Sequence, residues 1–228
     1  MPRREWAAVV PVGPAETAWP GLLADLAVAQ VSVVVAATAP PSAALLASWQ
    51  AYESAHDARW LQAERGRARQ LNAGAKAADA HWLWFLHADS RLGPGAFAAL
   101  QAAIARHGEN ALYYLDLAFT PGSGRLMALT AWGARQRSRR LGLPFGDQGF
   151  CLAAHTFERL GGFDEAAPYG EDHLLVWQAR RAGLALVPIN ASIETSARKY
   201  QARGWLTTTL QHAWLTWRQA YPQWRIRP

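Results

Sequence analysis

Five short segments of this 228-residue chain carry residue types that could do chemistry. The first is His87-Ala88-Asp89, which closes the apolar run Trp82-Leu83-Trp84-Phe85-Leu86. Such a run reads as a buried strand whose last residues emerge at a sheet edge. Strand alternation puts His87 and Asp89 on one side. The hard oxygens of Asp89 suit Mg²⁺ or Mn²⁺ held jointly with a diphosphate. The plainer alternative is a turn or cap aspartate ahead of Pro94. The second segment runs Gly161-Gly162-Phe163-Asp164, then Tyr169-Gly170-Glu171-Asp172. Two carboxylates opening a helix are favoured by its dipole. They can be simple N-terminal charge, or one can be a general base for an attacking hydroxyl. In Gly66-Arg67-Ala68-Arg69-Gln70-Leu71-Asn72, a glycine precedes a helix start, where phosphate is favoured. Arg67 and Arg69 could fork onto phosphate oxygens, or they could form a solvated basic face. The pattern of a P-loop is absent. Phe145-Gly146-Asp147-Gln148-Gly149 is either a tight loop lining a polar pocket or an ordinary turn. Thr195-Ser196-Ala197-Arg198-Lys199-Tyr200, followed by Arg203-Gly204, either closes over phosphates or is a solvated connection.

The elements that must position these segments alternate. Strands are expected at Trp6–Val12, Val31–Val35, Arg59–Gln62, Trp82–His87 and Ala111–Phe119. Helices are expected at Trp19–Ala29, from Ser42 through Trp49 with Ser42 as a cap, at Arg67–Ala78 and at Gly95–His107. Strand–helix alternation at this spacing predicts a parallel, doubly wound sheet for the first half. Further on, a helix is expected at Gly124–Arg140. Gly146–Ala153 reads as a loop entering a strand. A helix at Glu171–Ala182 and a strand at Leu184–Ile189 follow, and Trp205–Tyr221 forms a last helix. No internal repeat, low-complexity linker or obvious domain cut interrupts the pattern.

Bulk composition narrows the classes. Hydrophobic residues make up 51% and charged residues 18%, so a sizeable core is available and disorder is not expected. No apolar stretch approaches the roughly 18 residues of a membrane span, and no signal peptide is read at the N-terminus. The single cysteine, Cys151, excludes an intrachain disulfide and a cysteine-based zinc site. Charge is uneven: 23 Lys and Arg face 17 Asp and Glu. From Thr195 onward the chain carries Arg198, Lys199, Arg203, Arg218, Arg225 and Arg227 and no acid. A second cluster holds Arg125, Arg135, Arg137, Arg139 and Arg140. Anionic partners are therefore expected: nucleotide phosphates, lipid headgroups or nucleic acid.

The five segments occur in one order, and the combination resembles family-2 glycosyltransferases of GT-A fold. It is similar above all to the subgroup of rSAM/selenodomain-associated transferases. The matching text is GRARQLNAGAKAA, WFLHADSRL, FGDQGF, the Leu160-Gly161-Gly162-Phe163 turn, GEDHLL and TSARKY ahead of Arg203-Gly204. The resemblance spans about residues 60–215. It implies a GT-A-like, mostly parallel doubly wound sheet in a three-layer sandwich, with residues 1–200 as the transferase domain. Within it, 1–115 would form the nucleotide-binding half and 116–200 the acceptor half. Residues 201–228 would form a basic, Trp-rich C-terminal helix.

By the same resemblance, the activity is inverting, metal-dependent transfer of a sugar from a nucleotide-sugar donor to an acceptor hydroxyl. Asp89 would correspond to the metal-binding aspartate for Mn²⁺ or Mg²⁺, with His87 beside it. Asp172 would correspond to the base, with Glu171 adjacent. Arg67, Arg69, Asn72, Arg198 and Lys199 would approach the donor, and Asp147, Gln148 and Gly162 the acceptor. One departure lies upstream. The subgroup carries acids after its first two strands; here Glu16 stands near the first, but no carboxylate follows the second until Glu53. This keeps a second expectation open, a catalytically degenerate nucleotide-sugar-binding protein of the same fold. A basic nucleic-acid-binding protein is a third, although no usual recognition motif occurs and nucleic acid is not expected as a partner. Trp205, Trp214, Trp217 and Trp224 interleave with basic residues. They suit a cytoplasmic protein peripheral at the inner membrane face, meeting a lipid-linked acceptor on an anionic surface. The alternative is that they pack the last helix onto the domain.

Overall fold

The structure, a computed structural model, describes residues 4–197, 200 and 204–225, the side chains of 212, 213, 224 and 225 excepted. β1 (Arg4–Val12), α1 (Trp19–Val28), β2 (Ser32–Ala37), α2 (Ala43–Ala55), β3 (Ala58–Gln62), α3 (Arg67–Ala78) and β4 (Ala80–Phe85) follow in strict alternation. Then come β5 (Arg91–Leu92), α4 (Ala96–His107), β6 (Ala111–Phe119), α5 (Arg125–Leu141), β7 (Phe150–Ala153), α6 (Ala154–Arg159), α7 (Glu171–Arg181), β8 (Ala185–Thr195) and α8 (Trp205–Arg225). The strands form one eight-stranded sheet in the order β3-β2-β1-β4-β7-β6-β8-β5. β1 pairs in parallel with β2 and β4, β2 with β3, and β6 with β8. β7 runs antiparallel between β4 and β6, and the short β5 antiparallel along β8. The sheet is thus mostly parallel.

Helices cover both faces, as buried parallel strands require. On one face Trp6, Ala8, Val10 and Trp84 meet Trp19, Leu22, Leu23 and Leu26 of α1, Trp49 of α2 and Leu100 of α4. On the other, Ala7, Val9, Leu83 and Tyr114 meet α3, α6 and α7 through Leu71, Phe157, Leu175 and Val176. Alternation along β1 sorts these two sets. The Ala-rich α3 lies close on β1: a methyl group at Gly74 would collide with Cγ1 of Val9. Trp19, Trp49 and Trp60 pack edge to face, with ring centroids 5.0–6.2 Å apart, a geometry that adds to their area burial.

Three local expectations change. β4 ends at Phe85, so His87 and Asp89 lie beyond the strand, in a turn closed by the Ser90 N–H donating to the His87 carbonyl at 3.0 Å. Strand alternation therefore does not set their relative direction. β8 does not end at Ile189. It continues to Thr195 across a bulge, where Tyr114 pairs with Pro188 and Asp116 with Ser192. Ser42 occupies the N-cap of α2 but makes no side-chain cap bond.

Candidate active site

The parallel strands β1, β2, β3, β4, β6 and β8 all point their carboxyl ends to one edge, where open α/β sheets bind ligands. β4 delivers His87 and Asp89 there, both half-buried. Antiparallel β7 begins at the same edge, preceded by one 3₁₀ turn at Gly146–Gln148. Gly149 packs against Leu86: a Cβ there would lie 3.0 Å from Leu86 Cδ2. The turn therefore sits beside the His87–Asp89 segment.

Gly146 in turn holds α7. Its N–H donates to Asp172 Oδ2 at 2.5 Å, while Asp172 Oδ1 accepts the His173 N–H at 2.9 Å. Glu171 and Asp172 occupy the first turn of α7, where the helix dipole favours negative charge. Glu171 is buried, and its Oε1 lies 3.2 Å from Nε of Arg67 on the first residue of α3. The N-termini of α3 and α7 thus meet through opposite charges. Four of the five segments converge on this edge: Arg67, His87–Asp89, Gly146–Gln148 and Glu171–Asp172. Arg198 and Lys199 of the fifth lie outside the described residues, as does Arg203.

Residues 40–155, half of the chain, match the model of glycosyl transferase family 2. The chain belongs to this family. Among solved structures it is similar to S. aureus TarS 1-349, with a TM-score of 0.66 and 16% identity over 85% of this chain and 60% of that one. It is also similar to TarS 1-349 in complex with UDP-GlcNAc (0.65, 15%, 84% and 58%) and with UDP (0.66, 16%, 84% and 60%). The likeness is one of fold, and this chain spans about 60% of the TarS fragment's length. No curated protein sequence matches it.

In this family-2 chain four further expected site residues, Asn72, Gly162, Arg69 and Gln148, also make structural contacts. Asn72 sends Nδ2 to the Phe163 carbonyl at 2.9 Å and to Glu165 Oε1 at 2.8 Å, and its Oδ1 accepts the Phe163 N–H at 2.9 Å. It pins the Gly161–Asp164 loop to α3. Gly162 permits this, since a Cβ there would lie 2.8 Å from Asn72 Oδ1 and its φ is +73°. Arg69 pairs with Glu64 at 2.6 Å and stands 3.9 Å from Glu165. Gln148 is fully buried; its amide donates to Leu115 O at 2.9 Å and accepts from Phe145 N at 3.1 Å. It shapes the turn that presents Asp147.

Three supports of the site have contacts that the sequence does not predict. Arg137 of α5 stacks its guanidinium 3.3 Å from the Phe145 ring centroid and donates from Nε to Leu143 O at 3.0 Å. Burial pushes its pKa down, while Asp147, Asp172 and Tyr200 oppose the shift. Arg137 is thus a cation within electrostatic reach of Asp147 and Asp172. Gln219 of α8 faces Nδ1 of His173 through Oε1 at 3.0 Å and donates to the carbonyls of Tyr169 and Gly170 at 3.1 and 3.0 Å. It fastens the residues just ahead of Glu171. Gln70 donates to Val12 O at 2.9 Å and Ala36 O at 2.7 Å, tying together the tips of β1 and β2. Gln70 and Gln219 read only as polar helix residues, and Arg137 only as one member of the basic cluster. Glu16, just after β1, accepts the N–H groups of Thr17 and Ala18 at 2.9 and 2.7 Å, ordering the turn that leads into α1.

A separate cavity of about 430 Å³ lies at the β8 bulge, lined by Asp116, Arg135, Arg139, Asn190, Ala191 and Ser192. Both arginines close on Asp116, at 3.3 and 3.0 Å. Among the described residues no group of three or more His, Cys, Asp or Glu side chains could hold a metal ion, and no helix is long and apolar enough to cross a membrane.

Proposed function

We propose that the chain transfers a sugar from a nucleotide-sugar donor to an acceptor hydroxyl with inversion, as a relative of the rSAM/selenodomain-associated transferases. The observation that carries this reading is the seating of Asp172 by the Gly146 N–H at the carboxyl edge of the sheet. Asp172 takes the proton of the acceptor hydroxyl as its oxygen attacks the anomeric carbon. The nucleoside diphosphate departs from the opposite face with the bonding electron pair. Arg67, with Arg198 and Lys199, supplies positive charge toward that diphosphate. Glu171 holds Arg67 in place.

A divalent cation fits the donor set only in part. Asp89 offers one hard carboxylate with His87 beside it, and no three-residue protein cage surrounds them among the described residues. Asp89 would therefore hold Mn²⁺ or Mg²⁺ jointly with donor diphosphate oxygens. When bound, that ion supplies charge neutralisation to the leaving group. Asp147 and Gly162 fall on the acceptor side, with Gln148 shaping the turn. The acceptor is read as a lipid-linked hydroxyl compound met at an anionic membrane surface.

TarS is seen with UDP-GlcNAc and UDP, so uridine diphosphate sugars are the first donors to test. Binding of a donor to the native state raises its apparent melting temperature. A thermal-shift series of nucleotide sugars with Mn²⁺, Mg²⁺ or chelator should show a metal-dependent rise that Asp89→Ala abolishes. An equal rise in chelator overturns the metal assignment. A second reading, a nucleotide-sugar binder without turnover, is favoured by the tips of β1 and β2. Gln70 ties them, and no carboxylate follows β2 until Glu53. Slow metal-dependent release of nucleoside diphosphate without acceptor separates the two, since only the transferase produces it.

A further inference from the structure

Large apolar side chains left in solvent are concentrated on two helices. Leu126, Leu129, Trp132 and Leu141 of α5 and Leu206, Leu210, Trp214, Trp217 and Tyr221 of α8 are each 46–60% exposed. Only Val28 and Leu46 among the described residues join them from elsewhere. The five on α8 form a single stripe, spanning about 80° on a helix that turns roughly 100° per residue. The opposite side of α8 is committed to the protein through Thr208 and Gln219. α5 and α8 are joined where Trp205 Nε1 donates to Thr130 Oγ1 at 2.8 Å.

The rim of this surface is basic. Arg218 lies over Trp214, 5.1 Å from its ring centroid, and Arg125 and Arg140 are exposed on α5. Residues 196–228 contain six basic side chains and no acid. A patch this apolar does not belong on a freely soluble face. An amphipathic helix with Trp and Tyr on one side and arginine at the border fits a lipid–water interface, where the rings reach the acyl boundary and the cations the headgroups. A second copy of this basic face would repel it.

We infer that the joint outer face of α5 and α8 is a docking surface for an anionic lipid bilayer, with Trp132, Trp214 and Trp217 as its anchors. This deepens the reading of a lipid-linked acceptor, and its test needs no turnover. The full chain is floated with vesicles of phosphatidylcholine alone, or with about 30% phosphatidylglycerol added. Binding is expected to the anionic vesicles and to fall at high salt. Trp214→Glu with Trp217→Glu should lower vesicle-bound protein about tenfold or more, as should Trp132→Glu on α5. Circular dichroism and melting temperature check that each variant folds. Equal binding to neutral vesicles, no binding to either, or full binding by folded variants overturns the assignment. So does a dimer by sedimentation whose formation the same substitutions abolish. A transferase that turns over yet does not float would overturn this inference alone.

Discussion

The N–H of Gly146 and the carboxylate of Asp172 meet at 2.5 Å although 26 positions separate them in the chain. The bond aims one oxygen of Asp172 while the other caps its own helix. A methyl at position 146 would stand 2.9 Å from that oxygen and 3.0 Å from Asp172 Cβ. Gly146→Ala is therefore expected to push the carboxylate aside, lowering kcat with donor affinity unchanged. Asp172→Asn should keep donor affinity and lower kcat by about 10²–10⁴, the usual worth of a general base. Initial rates and calorimetric donor titration check both. Wild-type kcat in Asp172→Asn would remove that residue from the role.

Gln219→Ala deletes a partner of His173 and the donor to the Tyr169 and Gly170 carbonyls. Leaving such groups unmatched costs roughly 1–3 kcal/mol. Urea unfolding should show that loss. Turnover measured well below the melting temperature should fall as well, since the loop ahead of Asp172 is released.

His173 gives stability a pH dependence. Burial holds its pKa below 6.5, against the opposing pull of Gln219 and Asp172. Between its folded and unfolded pKa values the unfolded chain binds more protons, so stability rises with pH there. It should be fully present above about pH 6.5 and decline on acidification below it. Urea midpoints at a series of pH values check the sign. His173→Gln should flatten part of the slope.

Trp19 is 1% exposed and packed against Trp49 and Trp60. Trp19→Ala is expected to cost about 3–5 kcal/mol through lost burial and a cavity. Far-UV circular dichroism during urea denaturation measures it. Because this cluster lies on the α1–α2 side, the stability loss should not carry a specific loss of donor affinity at temperatures where the variant is folded.

Much of the frame was legible because local and tertiary demands agree. α3 at Arg67–Ala78 and β6 at Ala111–Phe119 fall where periodicity predicts them. The bulge in β8 was hidden because Pro188 and the polar Asn190 read as an end, whereas pairing with β6 resumes at Ser192. α6 passed unnoticed since six residues carry too little period to read. At the candidate site the acids were visible as motifs. Their supports were not: Gln70 and Gln219 act across 58 and 46 residues of chain, a range that local pattern does not encode, and Arg137 read only as one of a basic cluster.

The bonds from Gln219 tie the last helix to the turn that leads into Asp172. A chain trimmed before Trp205 would lose more than a surface helix, because His173 and the Tyr169 and Gly170 carbonyls would lose their partner on it. Swapping that helix for the corresponding helix of a relative would change the exposed apolar stripe and the support of the Tyr169–Asp172 turn together.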